Sequence, residues 1–423
     1  MISWVFFAAA CVLALFTVNG FVPVRRNRVL YLPSFFASWL TIELAWWHLV
    51  WEAAAAAAFV WFGALDRPIG WVALGIIIVN WCGLIVLVLH GRSAAQLASG
   101  VLQPLDDDKL EVVTRGKITR TKDLTFRRVA GREIKLDVFA PATSPPPGSR
   151  RPAVLQIHGG AWIIGDKREQ GIPLLKHLAA RGWVGFNANY RLSPGATWPD
   201  LLVDLKYALA WIREHADEYD VDPNFVAVTG GSAGGHLAAM MALTENDPEY
   251  QPGIEGADTS VQAAVPFYGV YDFTNRNGTM PDAFLRRILE PLVMKRFIAD
   301  EPDSFAKASP LDNVHPDAPP FLVLHGDNDT LAPVEDAREF AEELGEVSDA
   351  PVFYLELRGA QHAFDVFSSV RTRRVIKAAY RFLSVMHARY VAGIPEEVAP
   401  AESEMVDGAV RVDSASDVER AAS

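Results

Sequence analysis

The chain has 423 residues, half of them hydrophobic, with 51 acidic against 39 basic side chains and a formal net charge of −12. That length suits two or three domains. The acidic balance, without a basic stripe or interleaved aromatic and basic residues, argues against nucleic acid as a partner. Only Cys11 and Cys82 occur, both in apolar stretches, so the rest of the chain has neither a disulfide framework nor a thiolate metal site.

Residues 2–20 (ISWVFFAAACVLALFTVNG) and 71–89 (WVALGIIIVNWCGLIVLVL) carry no charged side chain. At 1.5 Å per residue each spans about 28 Å, close to the hydrocarbon thickness, which predicts two transmembrane helices. Between them, residues 35–63 are apolar and aromatic but include Glu43, His48 and Glu52. This stretch reads as a third span, long and tilted or broken, with an interfacial segment as the alternative; its carboxylates are expected to pair with one another or to lie near headgroups. The first segment lacks a positive n-region and an A-x-A site, and Arg25, Arg26 and Arg28 follow it at once. It therefore reads as an uncleaved span with the arginines cytoplasmic, and three spans put everything after residue 90 in the cytoplasm, a multi-pass membrane protein.

Residues 1–92 thus form a transmembrane region and 93–121 a linker. From 122 to 392 strand-like and helix-like stretches alternate. Two alternating runs flank Ala130-Gly131, then short apolar runs fall at 154–157, 184–187, 225–229, 263–267, 321–324 and 352–357. Trp198, Leu201, Leu202, Leu205, Ala208, Leu209 and Ile212 recur at helical spacing, as a helix with one face on a sheet requires. The order predicts an α/β domain: a mostly parallel sheet, helices on both faces and an antiparallel start. An insertion at 274–319 contains AFLRRILEPLVMKRFI, with Phe284, Ile288, Leu292 and Phe297 along one face and Arg286, Arg287, Lys295 and Arg296 elsewhere. A lid over a substrate pocket, a membrane-surface role for its basic residues, or an ordinary covering helix broken near Pro291 fits this position. The tail, 393–423, carries eight acidic residues against Arg411 and Arg420, a disordered composition.

The stretch FVAVTGGSAGGHLAAM passes from a buried strand through glycines into a helix, with Ser232 at the junction. Gly230-Gly231-Ser232-Ala233-Gly234 fits the G-x-S-x-G nucleophile elbow, where strand and helix pass too closely for side chains. A serine used for acyl transfer needs a base, a carboxylate to orient it, and donors for the oxyanion. In the order serine, acid, base, Asp327 and Asp329 follow one later strand and His362 follows the next. His325, His315 and His236 suit the base less well, because they end a strand too early, lie in the insertion, or sit on the elbow helix. Earlier, VLQIHGGAWIIGDK ends a strand in small residues, so Gly159, Gly160 and Ala161, with the Ala233 N–H, are the candidate oxyanion donors.

Taken together, His158 to Trp162, NYRLSP with WPDLLVDLKYALAWI, GGSAGGHLA, HGDNDTLAP and GAQHAFD resemble, in that order and spacing, an α/β-hydrolase of the carboxylesterase and lipase group. The likeness covers about residues 123–390 and is greatest to the hormone-sensitive-lipase-like branch and its membrane-anchored actinobacterial relatives. It implies Ser232 as nucleophile, His362 as base and Asp329 as orienting acid, the family's carboxylate standing four residues before a proline, here Pro333. It also implies an acyl-enzyme, no metal or organic cofactor, and a small-molecule ester substrate. The membrane region points to hydrophobic or lipid-derived esters, with membrane lipid as a partner. HGGAW in place of HGGG resembles small-acyl esterases and kynurenine formamidases, so an arylformamidase or amidase with the same triad is the alternative, and a non-catalytic binding protein of this fold a third. Oligomeric state is not legible.

Overall fold

The computed structural model describes residues 1–25, 29–105, 115–393 and 411–412. Arg26 and Arg28, the middle of the linker and nearly all of the acidic tail lie outside them. The chain divides into two compact units. One joins Met1–Leu97 to Gly326–Leu331 and Leu357–Val375, and the other holds the rest.

The sheet order is β1-β2-β4-β3-β5-β6-β7-β8-β9. β1 (Ile118–Val129) and β2 (Arg132–Pro141) form the expected antiparallel hairpin, closed by Ala130 and Gly131 at φ 48° and 76°. Two successive left-handed residues match the right-handed twist of the strands they join. β4 (Val184–Ala188) pairs antiparallel to β2 and parallel to β3 (Arg151–Ile157). Then β5 (Val221–Gly231), β6 (Ala263–Phe267) and β7 (Phe321–Gly326) continue in parallel. β8 (Val352–Leu357) follows, edged by the antiparallel β9 (Arg411–Val412). Every residue of β3, β4, β6, β7 and β8 is buried, as a sheet covered on both faces demands.

Crossover helices α5 (Ile172–Ala179), α6 (Asp200–Glu214) and α7 (Ala233–Leu243) cover the sheet. The predicted stripe of α6, from Leu201 to Ile212, is buried, while all eleven residues of α7 are buried, matching its apolar composition all round. In the insertion, a single turn α8 (Asp282–Phe284) runs into a π-helix at Leu285–Met294, then α9 (Pro302–Ala306). Here the predicted face is shifted. Leu289, Val293 and Met294 are buried, Phe284 and Ile288 are partly so, and Phe297 is exposed. A π-helix bonds i to i+5 and turns more slowly than the α-helix whose period sets the prediction, so the inward face advances along the sequence. Finally, α10 (Val334–Val347) and α11 (Val370–Ala392) close the order.

The first unit contains α1 (Ile2–Phe21), α2 (Tyr31–Glu43), α3 (Ala45–Trp61) and α4 (Pro68–Val101). Among the described residues α1 and α4 are long and apolar enough to cross a membrane, and α4 runs on through the start of the expected linker. The stretch 35–63 is not one helix. It breaks at Leu44, leaving 13 residues in α2 and 17 in α3. Its carboxylates do not pair with one another; each has its own partner. Asn80 Nδ2 donates to Glu52 Oε2 at 2.7 Å, His48 lies 3.7 Å from the same carboxylate, and Glu43 forms a buried ion pair with Arg371.

Candidate active site

β5 ends at Gly231 and α7 begins at Ala233, leaving Ser232 alone on the turn at φ 59°, ψ −122°. A residue with a β-carbon rarely adopts that conformation, and it persists only where its surroundings impose it. They do so from both sides: Ser232 N donates to Phe267 O and Ser232 O accepts from His236 N, each at 3.0 Å. The flanking glycines are steric requirements. A β-carbon on Gly234 would lie 2.3 Å from Ile157 O, and one on Gly230 2.4 Å from Gly234 O. Larger residues would push β3, β5 and α7 apart.

The loop after β3 approaches the same turn. A β-carbon on Gly159 would stand 3.0 Å from Ser232 Cβ, so the two backbones touch. The Gly159 N–H donates to Gln170 Oε1 at 2.7 Å, which makes close approach, rather than donation, the visible part of this residue. Gly160, Ala161 and Trp162 follow at φ 122°, 50° and 61°. Three consecutive positive φ values coil the loop tightly, and Ile163 and Ile164 N–H groups both bond Gly160 O at 3.0 Å. Ala233 N–H, at the first position of α7, has no acceptor within its own helix.

Trp162 explains why the loop holds this shape. Its ring is buried, and Nε1 donates to His236 Nδ1 at 3.2 Å, while His236 Nε2 lies 2.8 Å from Ala308 O. Only a neutral imidazole protonated at Nε2 satisfies both contacts. Burial agrees, pushing His236 down to about 3. His236 also stacks on Phe273 at 4.3 Å between centroids, and through Ala308 O it pins HGGAW to the elbow helix and to the insertion at once. Neighbouring His158 stacks on Tyr190 and its pKa is lowered by burial, a structural part.

Asp329 and His362 stand together on loops of the first unit. His362 Nδ1 lies 2.7 Å from Asp329 Oδ2, and both side chains are almost wholly buried. The carboxylate can only accept, so Nδ1 carries the hydrogen and Nε2 is the basic nitrogen of the neutral ring. Leu331 N donates to Asp329 Oδ1 at 2.8 Å, fixing the carboxylate plane. Asp327 takes a different part, accepting from Gly359 N at 2.6 Å as a brace between the loops. Gln361, which sequence reasoning missed, staples the pair: Oε1 accepts from Thr330 N at 2.8 Å and from His362 N at 2.9 Å. Its adjacency to His362 carried no signal of this.

Among the described residues no group of three or more His, Cys, Asp or Glu could hold a metal ion. A cavity of about 620 Å³ lined by Arg151, Trp183 and His387 lies where β3 and β4 begin. Ligands of such sheets bind beyond the carboxyl ends of the strands, where Ser232 stands, so this cavity belongs to another part of the surface.

Residues 136–344 match the family model described as BD-FAE. The chain is 39% identical over 408 residues to the probable carboxylic ester hydrolase LipM of Mycobacterium tuberculosis (strain ATCC 25618 / H37Rv), covering 91% of this chain and 94% of that one. The chain belongs to the α/β-hydrolase family of carboxylic ester hydrolases. Esterase LipQ of the same organism is 46% identical over 64% of this chain and 63% of its own. Among solved structures, Thermogutta terrifontis esterase 2 phosphoramylated by tabun aligns with a TM-score of 0.51 at 26% identity, over 67% of this chain and 97% of that one. The enzyme is thus a carboxylic ester hydrolase with a small-molecule ester substrate.

Proposed function

We propose that this hydrolase works through Ser232, His362 and Asp329, by a covalent acyl-enzyme, on hydrophobic or lipid-derived esters at a membrane. The buried Asp329–His362 hydrogen bond carries the reading, because it fixes the tautomer in which Nε2 can take a proton. Ser232 Oγ attacks the ester carbonyl carbon as its proton passes to His362 Nε2, and the carbonyl π electrons move onto oxygen. Gly160, Ala161 and Ala233 N–H groups receive that oxyanion, while Gly159 makes room for it. Collapse breaks the bond to the alkoxy oxygen, which leaves as alcohol with the Nε2 proton. Water then repeats the sequence, giving its proton to Nε2 and releasing the carboxylic acid and Ser232. The organophosphorus-modified esterase among the similar structures supports a nucleophile of this kind.

The membrane part rests on α1 and α4, with α3 as a third crossing. Trp4, Leu15, Trp47, Trp61, Trp71 and Val79 are exposed on these helices, as lipid-facing residues would be. Three crossings put the catalytic domain on the side opposite the N-terminus. The insertion serves as a lid. Its Phe284 ring stands 6.2 Å from Trp162, beside the oxyanion loop.

Hydrolysis of p-nitrophenyl esters of increasing acyl length by detergent-purified protein tests this reading. Activity lost in Ser232→Ala and rising with acyl length supports it. Equal activity in the variant sinks the serine mechanism, and turnover of only the shortest esters sinks the lipid substrate. Faster turnover of N-formyl aromatic amides than of any ester would favour an amidase.

A further inference from the structure

Helix α2 buries polar residues and exposes apolar ones. Ser34, Ser38, Thr41 and Glu43 are buried beside Phe35 and Ile42, whereas Leu32, Phe36 and Leu40 form an exposed stripe at i, i+4, i+8. The buried face lies on the loops of the acid–base pair. Trp39 Nε1 donates to Ala363 O at 3.0 Å, Gln361 Nε2 to Ser38 Oγ at 3.4 Å, and the Phe35 ring stands edge-on to His362 at 6.4 Å. Arg371, ion-paired to Glu43, also donates to Arg358 O and Gly359 O at 3.2 Å. Tyr31 lies close enough to Asp329 that burial first, and then that carboxylate, push its hydroxyl well above the ordinary value.

The direction of α2 follows from its contacts with the last turn of α1. Asn19 Nδ2 donates to Ser34 O at 2.8 Å, while a β-carbon on Gly20 would touch Ile42 at 3.6 Å and Thr41 at 3.7 Å. From Ser34 to Thr41 the helix advances about 10 Å without leaving the level of one α1 turn. It therefore runs across the end of α1. The acid loop meets the same level, because Asn328 Nδ2 donates to Gly20 O at 2.9 Å and Arg25 to Asp327 O at 3.1 Å. Below it α3 turns back along the other helices, Ala45 packing with Leu84 and Leu87 and Ala56 with Phe6 and Ile77. An apolar cavity of about 350 Å³ opens at the α2–α3 break, between Trp46, Trp47, Leu87 and Phe367, with Arg373 in its wall. Leu32, Phe36 and Leu40 of α2 are exposed, as are Trp46 and Trp47 at the start of α3, so apolar surface is open on both sides of the break.

We infer that α2 lies in the plane of the membrane surface, holding Asp329 and His362 at headgroup depth so that the enzyme takes its ester from the bilayer. The inference rests on the serine mechanism proposed above. Its substrate is an amphiphile whose acyl chain stays among the lipid tails while its ester group reaches the acid–base pair. Ser38, Trp39 and Glu43 are positioning residues that act through the His362 loop. Leu32, Phe36 and Leu40 make the contact with lipid.

The test uses full-length protein in phosphatidylcholine vesicles, with a long-chain fluorogenic ester dissolved in the bilayer and p-nitrophenyl butyrate in the water. In the triple variant Leu32→Ser, Phe36→Ser, Leu40→Ser, the ratio of bilayer to aqueous ester hydrolysis falls at least tenfold, while a fluorophosphonate probe still labels Ser232. An unchanged ratio overturns the inference. A wild-type protein that the probe does not label would instead overturn the serine mechanism beneath it. A second measurement stands beside it that does not depend on the folding of the triple variant. Phe36→Cys, in a background of Cys11→Ala and Cys82→Ala, carries an environment-sensitive dye that nitroxide lipids quench at headgroup depth. A dye quenched only by a water-soluble agent, or by a protein partner's arrival rather than by lipid, overturns the placement of α2.

Discussion

Replacing Asp329 by Asn exchanges one carboxylate oxygen for an amide NH2 and tests the proposed chemistry at nearly constant volume. In the native enzyme the carboxylate accepts from His362 Nδ1 at 2.7 Å and from Leu331 N at 2.8 Å. The asparagine oxygen keeps the Leu331 contact, which turns the amide NH2 toward His362. That NH2 donates to Nδ1, so the ring must carry its hydrogen on Nε2 and can no longer take the Ser232 proton. Loss of the base tautomer and of the carboxylate's stabilisation of imidazolium lowers kcat by about 10⁴-fold, or roughly 5.5 kcal/mol of barrier. KM should hardly move, since neither atom touches bound ester in the ground state. The assay is p-nitrophenyl butyrate hydrolysis at fixed pH, with Asp327→Asn in parallel. That control keeps an amide oxygen to accept from Gly359 N and loses only the charge on that bond, costing about 1 kcal/mol of stability, and keeps kcat within a few-fold. An Asp329→Asn enzyme within tenfold of wild type, or an Asp327→Asn enzyme that is the more damaged, would refute the assignment.

Other outcomes follow from the same geometry. Gln361→Ala unstaples the two loops, so kcat should drop ten- to a hundredfold with little change in KM, measured on the same ester; a purely structural residue would instead lower the yield of active enzyme as titrated by the fluorophosphonate probe. Gly234→Ala pushes a methyl group into Ile157 O and should cost more than 3 kcal/mol, read as loss of folded protein in a thermal melt; a stable, active variant contradicts the elbow packing. Asp336 is pushed up to about 7, by burial first and also by Asp272, so the proton it binds stabilises the fold at low pH. That contribution is whole below its unfolded pKa and is lost as pH rises through about 7. Between pH 5 and 8, Asp336→Asn should remove roughly 2 kcal/mol of the wild type's loss in stability, seen as a flatter Tm against pH.

Much of the hydrolase was legible because its signals are local. Strands at 263–267 and 352–357 fall on β6 and β8, since short apolar runs between turn residues have few other readings. Ser232 was legible because only glycines tolerate the crossing of β3, β5 and α7, so the steric need is written as G-x-S-x-G. The division between Asp327 and Asp329 was legible only through the family's spacing to Pro333. Both follow the same strand, and in the structure the distance to His362 separates a brace from a partner. Trp162 and His236 join across 74 positions, a separation that no window senses. At 35–63 the sequence left a continuous, a broken and an interfacial segment open, because hydropathy counts apolar residues without direction, and the structure shows the broken one. Leu44, where α2 and α3 part, is as apolar as its neighbours, so composition does not mark the break.

The central claim is that Ser232 is the nucleophile. Incubation of the detergent-purified enzyme with a fluorophosphonate, followed by proteolysis and mass mapping, measures it most directly. The account predicts one stoichiometric adduct on the peptide carrying Ser232, with esterase activity lost in proportion, and no adduct in Ser232→Ala. An adduct on another residue, or full activity surviving complete labelling of Ser232, would contradict it.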